Sequence, residues 1–183
     1  MLRLFVALGL PHATSMDLAM LTGGGVPGAR WVPPENYHIT LRFIGEVQPN
    51  EAEDIASALA AISAKPFDLQ IKGCGVFGHE QPRAIWAGVE PNEALTNLQK
   101  KIERAFQRMG LPPDKRKFVP HVTLARLRNA EPLKVQQFLQ DHSLYKAAPI
   151  AIDSFGLYSS DLSHSSGSIY HLEQSYTLAR VTA

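Results

Sequence analysis

The chain alternates short apolar, β-favouring runs with amphipathic stretches of helical period. Residues 2–9 (Leu-Arg-Leu-Phe-Val-Ala-Leu-Gly) read as a buried strand, and Pro11 followed by Thr14-Ser15-Met16-Asp17 predicts a helix to about Leu21. The run Tyr37 to Phe43 alternates like a half-buried strand and is closed by Gly45. Pro49-Asn50-Glu51 opens a helix with Ile55, Leu59 and Ile62 on one face, ending near Lys65-Pro66, and strands follow over 67–76 and 84–89. The longest helix starts at Pro91-Asn92-Glu93, carries Leu95, Leu98, Ile102, Ala105 and Phe106 on one face, and is stopped by Gly110 and Pro112-Pro113. A strand over 118–127, a short helix over 131–141 and strands over 150–158 and 169–178 around a polar loop, 159–168, complete the pattern.

This order repeats itself. The succession of strand, helix and two strands that begins at 37 recurs at 118. Hairpin-rich antiparallel strands with interspersed helices predict an α+β fold. The expectation is one domain over residues 1–183, made of two similar lobes related by a pseudo-twofold axis. Antiparallel sheets would line a central cleft, with the helices on the outer faces, and 183 residues suffice to bury such a core.

The two strands at equivalent places carry the same tetrapeptide. His38-Ile39-Thr40-Leu41 and His121-Val122-Thr123-Leu124 are both His-x-Thr-Leu, 83 positions apart (121 − 38). With 7 His, 7 Thr and 21 Leu in the chain, chance placement gives about 0.03 such tetrapeptides. On a strand, residues two apart share a face, so each imidazole points with its threonine hydroxyl while the aliphatic neighbours point into a core. Two imidazoles and two hydroxyls suit phosphoryl chemistry on a substrate that carries its own leaving group. One neutral His takes a proton, a protonated one gives a proton, and the hydroxyls bind non-bridging oxygens. Two facing lobes put the imidazoles on opposite sides of phosphorus, as in-line displacement needs. No metal is implied, because the sequence has neither a carboxylate cluster nor a His-Glu-x-x-His helix.

Other residues change this picture little. His12, His79, His142, His164 and His171 follow no pattern and read as incidental. Arg42 stands beside the first motif; Lys115-Arg116-Lys117, Arg126 and Arg128 flank the second. The run 115–117 reads equally as a solvated loop or an RNA-backbone contact. Arg126 could reach a phosphate, but its odd offset from His121 puts it on the wrong face unless the strand bulges or ends first. Phe43, at the same offset from His38, is either core or a stacking surface for a base. Gly73-Cys74-Gly75-Val76-Phe77-Gly78 matches the dinucleotide fingerprint Gly-x-Gly-x-x-Gly, but a strand follows where that fingerprint needs a helix. The run Gly23-Gly24-Gly25 is loop without a phosphate-binding context.

Composition sets the class. At 45% hydrophobic, 19% charged and net charge +1, the chain reads as a soluble globular protein whose nucleic-acid contacts must be local. The one cysteine, Cys74, excludes an intrachain disulfide, reads as a buried small hydrophobe and fits a reducing cytoplasm. The apolar N-terminal run reads as a core strand, since it ends at Pro11-His12, and no stretch approaches a membrane span.

At the paired motifs the chain resembles the 2H phosphoesterase superfamily, and within it the bacterial and archaeal RNA 2′,3′-cyclic phosphodiesterases, historically called 2′-5′ RNA ligases or LigT-like proteins. The likeness runs from Arg3-Leu4-Phe5-Val6-Ala7 through Trp31-Val32-Pro33-Pro34-Glu35-Asn36-Tyr37-His38 and Pro120-His121-Val122-Thr123-Leu124-Ala125-Arg126 to Leu157-Tyr158-Ser159-Ser160. It departs at Tyr37, where a leucine is more usual. The resemblance implies a bilobal fold and cofactor-free, metal-independent hydrolysis of an RNA 2′,3′-cyclic phosphate end to a 2′-phosphomonoester. It implies His38 as proton donor and His121 as proton acceptor, with Thr40 and Thr123 binding the phosphate and Arg126 and Phe43 aiding substrate binding. The expected partners are RNA ends or nucleotides bearing the cyclic phosphate, without a membrane, and the expected form is a cytoplasmic monomer. Two other readings stand beside this: reversible 2′-5′ RNA ligation at the same site, and a non-catalytic nucleotide-binding module.

Overall fold

The computed structural model describes residues 1–78, 80–163 and 167–179. The described elements run β1 (Leu2–Gly9), α1 (His12–Ala19), β2 (Ala29–Trp31), β3 (His38–Val47), α2 (Pro49–Ala60), β4 (Phe67–Leu69), β5 (Ile71–Phe77), β6 (Ala84–Val89), α3 (Glu93–Arg108), β7 (His121–Leu127), α4 (Pro132–Asp141), β8 (Ile150–Ile152), β9 (Ser154–Ser163) and β10 (Gly167–Thr177). A 3-10 turn, Pro34–Asn36, leads into β3. The fold is α+β, as the alternation predicts, with differences that have local causes. The expected strand 67–76 divides into β4 and β5, and 150–158 into β8 and β9, because β4 and β8 leave the main sheet and pair with each other. The polar stretch 159–168 does not start as a loop: serines at 159, 160 and 163 carry no apolar signal, yet they extend β9 into a hairpin with β10. The middle of that expected loop, 164–166, lies outside the described residues. Nor does Gly45 end β3; its φ of 99° lets the strand bulge and run on to Val47.

The larger sheet has the order β10-β9-β1-β3-β7-β6-β5, with β2 also paired to β7, and every recorded pairing is antiparallel. Its two halves meet at one ladder pair, Ile39 with Val122. The lobes are therefore the two ends of one pinched sheet. Around the pinch, β1 stands to β3 as β6 stands to β7: Gly9 pairs with His38 and Gly88 with His121. The repeat thus begins at β1 and again at β6, one strand earlier than strand order alone suggests.

Helices back the face opposite the motif imidazoles. α3 packs on β3 and on α2, α2 reaches β10, and α4 packs on β5. The apolar stripe of α3, Leu95, Leu98, Ile102, Ala105 and Phe106, is buried as its spacing predicts, and Asn92 caps the helix by accepting the Leu95 N–H at 2.9 Å. Ile39, Leu41, Val122 and Leu124 join the same core. Burying each such side chain stabilises the fold by about 1.5–3 kcal/mol. Tyr37 is buried there too, so the residue that departs from the family pattern is a packing residue. Among the described residues no helix is long and apolar enough to cross a membrane.

Candidate active site

The pairing of Ile39 with Val122 fixes what lies around it. In an antiparallel register it sets His38 opposite Thr123 and Thr40 opposite His121. All four are half-buried on one face, while Ile39 and Val122 are fully buried on the other. The two histidines stand on a diagonal of this two-by-two quartet, so their Cα atoms are about 7–8 Å apart. Sequence proximity has no part in this; the pinch of the sheet brings the motifs together.

Both motif strands bulge at the leucine. In β3 the partners of Val6 and Ala7 are Arg42 and Thr40, which leaves Leu41 unpaired; in β7 the partners of Ile85 and Trp86 are Ala125 and Thr123, which leaves Leu124 unpaired. An extra residue reverses the alternation beyond it. Two consecutive side chains then face the core, as Leu124 and Ala125 do, and the next returns to the face of the histidine. Arg126 therefore shares the face of His121 despite its odd offset. By the same step Phe43 shares the face of His38, since it pairs with Phe5, whose ring lies 5.0 Å from the His38 ring.

Each imidazole is held in the same way. Nδ1 of His38 lies 2.7 Å from the Asn36 carbonyl oxygen, and Nδ1 of His121 lies 2.6 Å from that of Val119, two residues back in both cases. A carbonyl can only accept, so Nδ1 carries the proton and donates, which leaves Nε2 for chemistry. The first carbonyl is supplied by the 3-10 turn. The second precedes Pro120, which holds Val119 extended. Aromatic rings flank both: Phe5 and Tyr170 (5.1 Å) about His38, Phe77 (4.9 Å) and Trp86 (6.0 Å) about His121. Burial, opposed by the Asn36 carbonyl and reinforced by the nearby His121 and Arg126, lowers the pKa of His38 from its usual value. Burial likewise lowers that of His121, against its Val119 bond and with the charge of Arg126. Arg126 thus acts on both imidazoles.

The remaining sequence candidates separate. Phe43 is 37% exposed and has the Arg3 guanidinium over its ring at 5.2 Å, so Arg3 is a cation of this face that the sequence reading missed. Arg42 turns away from the quartet toward the helices: Nε lies 2.8 Å from Glu103 and Nη1 3.6 Å from Asp114. In the run 115–117, Arg116 is bound to Asp114 at 2.9 and 3.1 Å, and that bond, ahead of other causes, holds the Asp114 carboxyl down to about 2. His142 bonds the Phe138 carbonyl at 2.8 Å at the end of α4, and His171 lies 3.2 Å from Asp161. His79 and His164 lie outside the described residues. Burial pushes the Cys74 thiol up to about 11, as befits a small packed hydrophobe. The false fingerprint has a packing role: a Cβ on Gly75 would stand 2.3 Å from the Trp86 ring, so glycine lets that indole lie across β5 beside Phe77. Phe5, Tyr170, Phe77 and Trp86 carried no sequence signal of their own. The glycines facing each motif histidine, Gly9 and Gly88, were a signal that strand pairing alone makes readable. Among the described residues no group of three His, Cys, Asp or Glu is placed to hold a metal ion.

The model of the 2′-5′ RNA ligase superfamily matches residues 25–163, a span that contains both motif strands. The RNA 2′,3′-cyclic phosphodiesterase of Geobacillus stearothermophilus is 37% identical over 128 residues, which are 67% of this chain and 41% of that one. This chain therefore spans about two fifths of the length of that relative. The RNA 2′,3′-cyclic phosphodiesterase of Aquifex aeolicus is 34% identical over 154 residues, 81% of each chain. In fold, the chain is similar to E. coli LigT complexed with 3′-AMP, with a TM-score of 0.78 over 98% of this chain and 99% of that one at 23% identity. The family expected from the motifs is the family found, and the chain belongs to the 2′-5′ RNA ligase superfamily.

Proposed function

We propose that this protein hydrolyses RNA ends or nucleotides bearing a 2′,3′-cyclic phosphate to 2′-phosphomonoesters, without a metal or cofactor. The observation that carries the reading is the symmetry of the quartet: two imidazoles with Nδ1 bonded to a carbonyl, on a diagonal, each opposite a threonine. The names of the relatives support the substrate. In this scheme the neutral Nε2 of His121 takes a proton from water as it attacks phosphorus. The protonated Nε2 of His38 delivers one to the departing 3′-oxygen. Thr40 and Thr123 donate hydroxyls to the non-bridging oxygens, where charge builds. Arg126 attracts the anionic phosphate. The bound anion in turn restores the proton that burial and Arg126 disfavour on a free imidazole. The face of Phe43 opposite Arg3 stacks the base.

The test is turnover of a 2′,3′-cyclic-phosphate RNA with identification of the product. His38→Ala and His121→Ala should each lower kcat by about 10²–10⁴-fold with an unchanged circular dichroism spectrum, and EDTA should have no effect. A substrate whose 3′-oxygen is replaced by sulfur separates the two roles. Its leaving group needs no proton, so it should restore turnover to His38→Ala and leave His121→Ala inactive. Full activity in either variant, a 3′-phosphate product or loss of activity on chelation would reject the scheme.

A further inference from the structure

His121 depends on a segment that has no regular structure of its own. Residues 109–120 join α3 to β7 without helix or strand. Leu111 still donates its N–H to the Phe106 carbonyl, but among the described residues no backbone–backbone hydrogen bond involves residues 112–119. That stretch ends at Val119, whose carbonyl accepts the His121 Nδ1–H. Phe118 packs on the core at its far end. Its near end is gripped by a side chain from the other motif strand, Arg42.

The Arg42 side chain is only 10% exposed. Its Nη2 donates to the Pro112 carbonyl, Nη1 donates to the Phe43 carbonyl at 3.1 Å and lies 3.6 Å from Asp114, and Nε lies 2.8 Å from Glu103 of α3. Glu103 also accepts the Asp114 N–H at 3.1 Å. One guanidinium therefore ties β3, α3 and the start of the segment together. A buried ion pair contributes little net stability, because lost hydration offsets the attraction. A planar fork of donors does fix the relative placement of the groups it binds. The carbonyl that serves His38 has a different anchor: Asn36 lies in the 3-10 turn and donates its side-chain N–H to the Ser168 carbonyl at 2.9 Å. Each motif histidine thus has its acceptor held from outside its own strand.

We propose that Arg42 is a positioning residue for the second motif: by fixing residues 112–119 it keeps the Val119 carbonyl on Nδ1 of His121, and so keeps the Nε2 lone pair directed at the phosphate site. This rests on the phosphodiesterase reading above, in which His121 is the base. Arg42 itself touches neither the imidazole nor the substrate. Once the segment is free to move, Nδ1 has no fixed acceptor and the ring proton can reside on Nε2. That tautomer presents an N–H where the attacking water needs a lone pair. The strand of the first motif thereby sets which nitrogen of the second motif's histidine carries the proton.

Histidine tautomers are read from nitrogen–proton correlations of protein isotope-labelled in its histidine rings, without substrate and above the ordinary histidine pKa of about 6.5. The wild type should show both His38 and His121 with the proton on Nδ1, the His121 signals being those lost in His121→Ala. In Arg42→Met, His121 should move toward the Nε2–H form while His38 stays unchanged. On a cyclic-phosphate RNA, kcat should fall about 10- to 100-fold with KM within about twofold, the expected cost of a misplaced catalytic group. Added to His121→Ala, Arg42→Met should cost nothing further. Added to His38→Ala, on the substrate with sulfur at the 3′ position, it should keep its full cost. Should the unpaired Glu103 keep Arg42→Met from folding, Arg42→Met/Glu103→Leu removes both charges and carries the same test. An unmoved His121 tautomer, equal shifts in both histidines, or an undiminished Arg42 effect in the His121→Ala background would overturn the role. A wild type that leaves the cyclic phosphate intact would instead reject the phosphodiesterase reading, and the spectra taken without substrate decide the link from Arg42 to His121 independently.

Discussion

Both motif histidines are pressed toward the neutral form, and this has a consequence for pH dependence. The proposed reaction uses one protonated and one neutral imidazole, so in that scheme the active free enzyme is the state of the pair that holds one proton. Its population peaks between the two macroscopic pKa values of the pair. Both histidines are shifted down from 6.5, by burial first, so the optimum of kcat/KM should lie below pH 6.5. That of kcat should lie higher, since bound phosphate favours the imidazolium. Arg126→Gln removes a charge that opposes protonation of both rings. The kcat/KM optimum should therefore move to higher pH, while KM rises about tenfold for the lost charge-assisted phosphate contact. A change in KM with an unmoved pH profile would mean that Arg126 touches substrate without acting on the pair. At this scale the sequence was highly legible for the motif residues, because two copies of one tetrapeptide leave a pattern that chance does not. It was silent on the aromatic rings beside the imidazoles and on Arg3, since an aromatic in a strand looks the same whether it packs a core or flanks a site. Arg42 shows the opposite failure: a cation beside a motif read as a site neighbour, though the bulge at Leu41 turns it to the helices.

What the elements add is the means of aiming side chains. The bulges at Leu41 and Leu124 give the leucine after each motif threonine of this chain a structural use. The unpaired residue stays buried and anchors a kink that returns the fifth residue to the site face. Period-two reasoning could state the condition for Arg126, that the strand bulge or end, but could not find the bulge, because a bulge leaves no mark in hydrophobic alternation. The glycine fingerprint behaves similarly. Sequence context ruled out a dinucleotide, yet the use of Gly75 emerges only when β5 is laid beside β6 and the indole of Trp86 is seen to need the space. Gly75→Ala should therefore force Trp86 to turn, at a cost of about 1–3 kcal/mol, and disturb the rings that flank His121. The urea midpoint should fall with an unchanged m-value, and kcat should fall with it, because the ring wall of one imidazole has moved. A midpoint equal to that of the wild type would show that the indole has room to spare and that Gly75 has no packing role.

On the scale of the whole molecule, the two lobes are not separable halves. β5 follows the first motif in sequence but pairs with β6 on the second motif's side of the pinch. β9 follows the second motif and pairs with β1 on the first motif's side. α3 leaves β6 and packs under β3, where its Glu103 meets Arg42. Sequence periodicity showed that elements recur, but it placed the first repeat's strands in order along the chain, since nothing in a local pattern records an exchange between repeats. Interlacing of this kind implies that neither lobe can unfold and leave the other's sheet intact. The prediction is sharp because a chain of this length is not assured of two-state behaviour. Trp31 on β2 and Trp86 on β6 both sit beside β7, so their fluorescence reports one lobe, while far-ultraviolet circular dichroism reports all helices and strands. The two signals should give coincident urea transitions. Phe106→Ala, which empties a fully buried position of α3 beside Arg42, Phe43 and Ile44, should cost about 3–5 kcal/mol. Although the lost packing lies under β3, it should move the tryptophan transition on the β7 side as far as the dichroism transition. A dichroism change that precedes an unmoved fluorescence transition would mean that the lobes unfold independently and that the exchange of β5 and β9 does not couple them.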